Sequence, residues 1–227
     1  MNPAITRRGL APLALGAMAA ASLGARPAKA QGTKHFRLGL REDPDILDPT
    51  LARSLMGRIV FASLFDKLFD VNERLDIVPQ LATGHSWEDP RTLLIPLREG
   101  VKFHDGTAMD AEAVRYSLMR HLTMQGSFRR GEIGTMETIE VVDPKTVRIR
   151  LKEPSAAFLS QLTDRAGMIL SPRAAEAAGK DFGAKPVGTG PFRFVERVAQ
   201  DRIVVERNPD YWDAKRIHLD RITYQAV

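Results

Sequence analysis

The segment 185–212 constrains the fold more than any other stretch, because it fixes the backbone at several closely spaced positions. Gly188 and Gly190 permit positive φ values that other residues rarely adopt, so we predict left-handed backbone there. Pro186 and Pro191 hold φ near about −65°. Together these residues predict a rigid crossing from one part of the fold to another.

A β-hairpin is predicted to follow this crossing. Thr189 can bond a nearby backbone amide and steady the turn. Residues Phe192 to Val198 and Arg202 to Arg207 alternate like strands, and a turn at Asn208 to Asp210 leads to the aromatic pair Tyr211 and Trp212. A phosphate-binding loop would instead be followed by a helix. The pattern therefore argues against a phosphate site.

The net charge of +5 is mostly a property of the first thirty residues. They contain Arg7, Arg8, Arg26 and Lys29 and no acidic residue. Subtracting these four from 33 basic residues leaves 29 against 28 acidic residues, a net charge of +1. Binding of nucleic acid requires a basic domain, and the rest of the chain is nearly neutral, so we expect no nucleic-acid partner.

The same thirty residues predict an export signal. The pair Arg7 and Arg8 precedes a soft apolar run at 10–23, and small residues predict cleavage after Ala30. The pair resembles a twin-arginine signal, although Pro12 stands where that motif often has Lys, so the general secretory route stays open. The chain has no cysteine, which excludes disulfides and a lipid-anchored cysteine. A soluble periplasmic protein is expected.

An acidic, proline-rich loop is predicted after the first strand of the mature chain, and it ends at Leu47, Asp48 and Pro49. Such a loop at a strand end commonly forms the wall of a cleft in an α/β fold. Ser54 then caps a helix predicted over 54–69. We interpret the apolar stripe of this helix as core packing. The stripe consists of Leu55, Ile59, Ala62, Leu64, Phe65, Leu68 and Phe69.

Short antiparallel strands are predicted over 75–106, and a hairpin over 139–151. Pro96 removes a backbone donor, so its strand should be an edge strand or locally bent. Helices are predicted from Asp110 to about His121, from Pro154 to Leu162 and from Pro172 to Ala178, and a short buried strand at 168–170.

Candidate catalytic groups are few. His104 and Asp105 are adjacent on a predicted strand and point to opposite faces, so they cannot easily share a ligand. We interpret Asp105 as part of a turn and His104 as a hydrogen-bonded side chain. The histidines are scattered, and no Gly-x-Ser-x-Gly elbow occurs. We therefore predict no enzyme activity, no metal site and no cofactor.

Several motifs resemble those of the family 5 solute-binding proteins of ABC importers, the dipeptide, oligopeptide and nickel binding group. The similarity runs in register from about Phe36 to Tyr224. The motifs that carry it are Pro79 to Ala82 with Trp87, Leu97 to Gly106, Ala111 to Val114, Gly188 to Phe192 and Asn208 to Trp212.

The resemblance implies an α/β fold similar to type II periplasmic binding proteins, with a mixed sheet and flanking helices. Full members of the family are much longer. Residues 31–227 are therefore expected to be the amino-terminal part of the first lobe, cut at the crossing to a second lobe that is absent.

The resemblance also implies a ligand-binding region after Leu-Asp-Pro. By position its residues are Arg53, Ser54, Leu55 and Met56. Separately, Arg129 lies in a polar loop and could meet an anionic ligand group, although an exposed, solvated arginine is the expected case.

The function implied is a periplasmic substrate-binding component of an ABC transporter, with peptides as the first ligand class. Nickel, glutathione, heme, sugars and opines stay open. The membrane subunits of the transporter would be its partners, and a monomer is expected. An exported hydrolase is the alternative from another class, and a nonfunctional fragment is a third.

Overall fold

A computed structural model describes residues 33–227, and the predicted export signal with its cleavage site lies outside these residues. The described part contains ten strands and four α-helices. The strands are β1 (His35–Leu40), β2 (Phe69–Val71), β3 (Ile77–Pro79), β4 (Ser86–Asp89), β5 (Thr92–Pro96), β6 (Met136–Asp143), β7 (Thr146–Leu151), β8 (Phe192–Val198), β9 (Arg202–Arg207) and β10 (Arg221–Ala226). The helices are α1 (Leu55–Leu64), α2 (Ala111–Thr123), α3 (Phe158–Gln161) and α4 (Pro172–Ala178).

The first sheet has the strand order β1-β10-β9-β8. Strand β1 runs parallel to β10, with His35 opposite Arg221, whereas β9 is antiparallel to both of its neighbours. The predicted hairpin of β8 and β9 is confirmed. With helices packed beside it, this mixed sheet confirms the α/β fold class.

The second sheet has the order β4-β5-β7-β6 and is antiparallel throughout. The prediction that Pro96 marks an edge or bent strand is wrong, because β5 is an inner strand in regular register with β7. Pro96 is its last residue, and Leu97 N donates to Lys145 O at 2.7 Å. Alternation along the ladder therefore turns the Pro96 nitrogen away from β7, so no bond to that strand is lost.

Two hydrophobic cores hold the fold together, one on each large sheet. The first lies between the second sheet and α2 and includes Leu93, Ile95, Val114 and Leu118. The second lies between the first sheet and α1 and includes Val60, Phe61, Leu64, Ile203 and Tyr224. Each fully buried Leu, Ile or Phe contributes about 1.5–3 kcal/mol. Val187, in the segment 185–212, packs against both cores.

Helix α1 begins as predicted and ends earlier than predicted. The Ser54 hydroxyl accepts a bond from Gly57 N at 3.1 Å, which confirms the cap. The helix stops at Leu64 because Phe65 has an extended backbone, and the free Leu64 carbonyl accepts from Gly190 N at 3.1 Å. Leu55 and Ile59 are 60% and 40% exposed and Ala62 is exposed as well, so the assignment of these three residues to a core-facing stripe is wrong.

The remaining helices follow the predictions in part. Asp110 caps α2 and Ser171 caps α4, and Gly179 ends α4 with φ of 56°. Helix α3 has four residues and is shorter than predicted. Residues 168–170 form single bridges rather than a strand. Within the described residues, no helix is long and apolar enough to cross a membrane.

Candidate functional site

The segment 185–212 packs directly on the end of α1. A Cβ added to Gly188 would lie 2.1 Å from the Leu64 carbonyl oxygen, and one added to Gly190 would lie 2.5 Å from the Ser63 carbonyl oxygen. Neither glycine has a positive φ, so the prediction of left-handed backbone is wrong. The glycines are needed because the two backbones approach too closely for any side chain.

His104 supports this crossing from the other side. Its Nδ1 accepts from Gly188 N at 3.3 Å, and its Nε2 donates to Gly190 O at 3.0 Å. Burial lowers the pKa of His104 to about 4, so the ring is neutral at pH 7 and has one donor and one acceptor. Asp105 turns away and accepts from the Ser171 hydroxyl at 2.7 Å. The interpretation of His104 as a hydrogen-bonded structural residue is confirmed.

The aromatic pair at the end of the segment binds a buried carboxylate. Asp66, which is 1% exposed, accepts from Trp212 Nε1 at 2.9 Å, from the Tyr211 hydroxyl at 3.0 Å and from Gln80 Nε2 at 3.0 Å. Burial raises the pKa of Asp66 to about 6, against the lowering effect of the hydrogen bonds from Trp212 and Tyr211. Tyr211 and Trp212 therefore fasten the segment to the residues that follow α1.

The Leu47, Asp48 and Pro49 motif is buried, whereas Arg41, Glu42 and Asp45 earlier in the same loop are exposed. The expectation that this loop forms a cleft wall stays a prediction. Asp48 accepts two bonds from Arg120, at 2.7 and 3.0 Å, in an ion pair within the fold. It also accepts from Thr50 N at 2.9 Å. The motif therefore holds the loop that leads to α1.

A surface at the start of α1, here called the α1 face, is defined by the exposed residues Arg53, Leu55, Arg58, Ile59 and Phe128 and the half-buried Met56. The guanidinium carbon of Arg53 lies 5.1 Å from the centroid of the Phe128 ring, which is 46% exposed. The Asp45 carboxylate accepts from Arg53 N at 2.8 Å and orients the loop. Ser54 is half-buried and acts as the helix cap.

Arg129 lies beneath the α1 face and is 2% exposed, so the expectation of a solvated arginine is wrong. Its Nη2 donates to Ala52 O at 3.2 Å, and its Nη1 lies 2.6 Å from Glu132 Oε1 in an ion pair without hydrogen-bond alignment. Arg165 is 9% exposed and donates to the same Ala52 oxygen at 3.2 Å. The structure thus brings Arg129 together with the predicted residues 53–56.

Sequence reasoning missed four members of this region. Arg58 forms an ion pair with Asp164, which lies beside Arg165, and Phe128 stacks with an arginine. Arg58 stands among apolar helix residues and Phe128 stands in a polar loop, and both are signals that sequence reading could have used. Asp164 and Arg165 have no local signal, because only the fold brings them to α1.

The side chains of this region are of the kinds that contact ligands. Arginine side chains, an aromatic ring and apolar side chains recognise ligands through charge and contact area. Among residues 33–227 no group of three or more His, Cys, Asp or Glu side chains is placed to hold a metal ion.

The fold is that of one part of a solute-binding protein, and solved structures of such proteins are similar to it. The murein tripeptide binding protein MppA of Escherichia coli matches with a TM-score of 0.80 and 25% identity, over 86% of this chain and 42% of that chain. The binding protein AgaA of A. tumefaciens, solved with agropinic acid, matches with a TM-score of 0.80 and 29% identity, over 85% of this chain and 40% of that chain.

The model of the bacterial extracellular solute-binding proteins, family 5 Middle, matches residues 76–227, and the chain belongs to this family. The family consists of binding proteins rather than enzymes. The glutathione-binding protein GsiB of Salmonella paratyphi A is 35% identical over 229 aligned positions, which cover 100% of this chain and 44% of that protein. The chain thus spans less than half the length of this relative.

Proposed function

We propose that this chain contributes the α1 face to the ligand cleft of an exported, periplasmic substrate-binding component of an ABC importer. The ligand class we propose is short peptides, with glutathione as the first member to test. The transporter's membrane subunits would receive the loaded protein, which would act as a monomer. Lobe closure on the ligand would complete the cleft.

One observation carries the proposal: Leu55 and Ile59 expose apolar surface on α1 beside the charged and aromatic side chains of Arg53 and Phe128. Apolar surface with a few placed polar groups is typical of small-molecule sites. The similarity to a glutathione-binding protein and to a murein tripeptide binding protein supports a peptide ligand. Arg53, Leu55 and Met56 are the proposed contact residues, with Ser54 capping the helix that presents them and Arg129 beneath.

Isothermal titration calorimetry of the full chain with glutathione and with a dipeptide tests this proposal. We expect weak, saturable binding in the millimolar range, about −4 kcal/mol, because one face supplies only part of the contacts. The variant Leu55→Asp should weaken the binding at least about tenfold, because apolar contact with the ligand is lost. Leu75→Asp is the matched control, since Leu75 is also exposed, at 80%, on the distant turn between β2 and β3.

Two results would count against the proposal. The first is no saturable heat with either ligand. The second is equal loss of binding in both leucine variants, which would place the ligand elsewhere. Agropinic acid serves as a competitor, because a binding protein of known structure that is similar to this chain was solved with it.

A further inference from the structure

Four arginines gather around the N-terminus of α1. Arg53 and Arg58 are exposed there, whereas Arg129 and Arg165 are buried beneath it. The acidic groups of the same cluster are Asp45, Glu132 and Asp164. The cluster therefore holds four positive and three negative side chains, an excess of one positive charge. The first turn of α1 contains no acidic residue, but the Asp45 carboxylate accepts from Arg53 N at 2.8 Å and from Ser54 N at 3.3 Å and so offsets part of the positive charge of the helix N-terminus.

The two buried arginines are incompletely satisfied. The Nε atoms of Arg129 and Arg165 have no hydrogen-bond partner among the described residues, and Glu132 is the one carboxylate that forms an ion pair with either. Arg165 Nη1 points to the cap of α1, donating to Ala52 O at 3.2 Å and lying 3.4 Å from Ser54 O. Buried charges in proteins are ordinarily paired, so this arrangement favours a further anion.

Further hydrogen-bond donors belong to the first turn of α1. The amides of Leu55 and Met56 belong to the first turn of α1 and have no acceptor within the helix. Arg58 extends from the same turn and is paired with Asp164, with side-chain exposures of 48% and 32%. A surface ion pair of this kind contributes little and exchanges partners at low cost.

We propose that this arginine cluster binds a carboxylate of the ligand. The carboxylate would lie against the first-turn amides of Leu55 and Met56 and the guanidinium groups of Arg53 and Arg58, with Arg165 beneath. The inference rests on the proposed function and narrows it, because the ligand class becomes peptides or solutes with an unblocked carboxylate. Neutral or cationic solutes would bind poorly.

Nuclear magnetic resonance titrations of the ¹⁵N-labelled full chain test the inference. The probes are glutathione, its diethyl ester, which has no free carboxylate, and succinate. We expect glutathione and succinate to shift the amide signals of Leu55 and Met56, and the diester to bind at least about tenfold more weakly.

The variants Arg53→Gln and Arg58→Gln should each reduce the affinity for succinate several-fold. Both side chains are exposed, so these variants should fold, and circular dichroism spectra of the variants check this. Arg165→Met tests the buried member. Arg74→Gln, on an exposed turn with 84% side-chain exposure, is the control and should bind as the parent chain does.

The outcomes separate the two proposals. If glutathione and its diester bind equally well, the carboxylate inference is overturned while the proposed function stands. If succinate shifts these amides and glutathione does not, the anion site stands and glutathione is the wrong ligand. If none of the three probes shifts them, both proposals are overturned for this surface.

Discussion

The Asp66 carboxylate accepts a 2.9 Å hydrogen bond from the Trp212 indole nitrogen, which joins the residues that follow α1 to the end of the segment 185–212. Tyr211 and Gln80 donate to the same carboxylate. One buried acid therefore joins the residues after α1 to Gln80 nearby and to the distant aromatic pair Tyr211 and Trp212.

Replacing Asp66 with Asn should lower the free energy of unfolding by about 1–3 kcal/mol, because one donor then loses its buried acceptor. Urea unfolding monitored by Trp fluorescence measures this. Asp76→Asn is the control, since Asp76 is an exposed turn residue with 58% side-chain exposure, and its loss should be below about 1 kcal/mol. Equal losses in the two variants would contradict the fastening role.

Gly190→Ala should destabilise the protein by about 3 kcal/mol. The new Cβ would lie 2.5 Å from both the Ser63 oxygen and the Leu64 carbonyl carbon, which are backbone atoms that cannot move aside. Gly84→Ala is the matched control, because nothing lies within 4 Å of its added Cβ. Thermal unfolding of both variants compares them. An unchanged melting temperature in Gly190→Ala would refute the close approach.

The buried ion pair of Asp48 and Arg120 should be costly to break. Arg120→Met leaves the Asp48 carboxylate, which is 0% exposed, without its bidentate partner, and we expect a loss of about 3–5 kcal/mol. Arg115→Met on the same helix breaks an exposed pair with Glu112 and should cost less than about 1 kcal/mol. Chemical unfolding of the two variants at one pH provides the comparison.

Acid should destabilise the protein between pH 6.5 and about 4. Burial lowers the pKa of His104 and His121 to about 4 in the folded state, so protons bind preferentially to the unfolded chain in this window. Each histidine should lower the free energy of unfolding by about 2 kcal/mol between pH 7 and pH 5. Asp66 has the opposite effect. Because its pKa is raised to about 6, folding takes up a proton at this carboxyl as the pH falls, which should restore about 1 kcal/mol of the free energy of unfolding by pH 5.

Unfolding free energies of the parent chain and His121→Gln at pH 7 and pH 5 check this. His121 bonds to Thr50 and to the Met168 carbonyl, so the variant starts from lower stability at pH 7. Between pH 7 and pH 5 the variant should lose less unfolding free energy than the parent chain, by about 2 kcal/mol. Equal losses would exclude His121 as a source of the acid sensitivity.

Export should depend on Arg7 and Arg8 if the leader is a twin-arginine signal. Replacing both with Lys should then abolish the periplasmic product, whereas export by the general secretory route would continue. Fractionation followed by intact-mass measurement decides between them. A mass that corresponds to residues 31–227 in the periplasm would establish cleavage after Ala30.

Local features of the fold could be predicted from sequence because their causes are local. Ser54 and Asp110 cap helices through their own side chains, and the hairpin of β8 and β9 follows from alternation and a polar turn. The family motifs pointed to residues 53–56, which the structure places on the α1 face, and their role in ligand binding stays a prediction.

Features that depend on distant contacts could not be predicted. Periodicity marks Leu55 and Ile59 as apolar without showing what they face. The burial of Arg129 depends on the carbonyl of Ala52, which only the folded loop presents. Gly190 indicated a special backbone position, but its reason is steric and lies in Leu64 of another element.

The parallel pairing of β1 with β10 has a consequence for the order of folding. The second sheet uses residues 86–151 through hairpins, so it can form early with low loop-closure entropy. Strand β1 pairs only with β10 among the described residues, and β10 is the last of the ten described strands to be synthesised. Among these strands, β1 therefore has no partner until translation has passed residue 226.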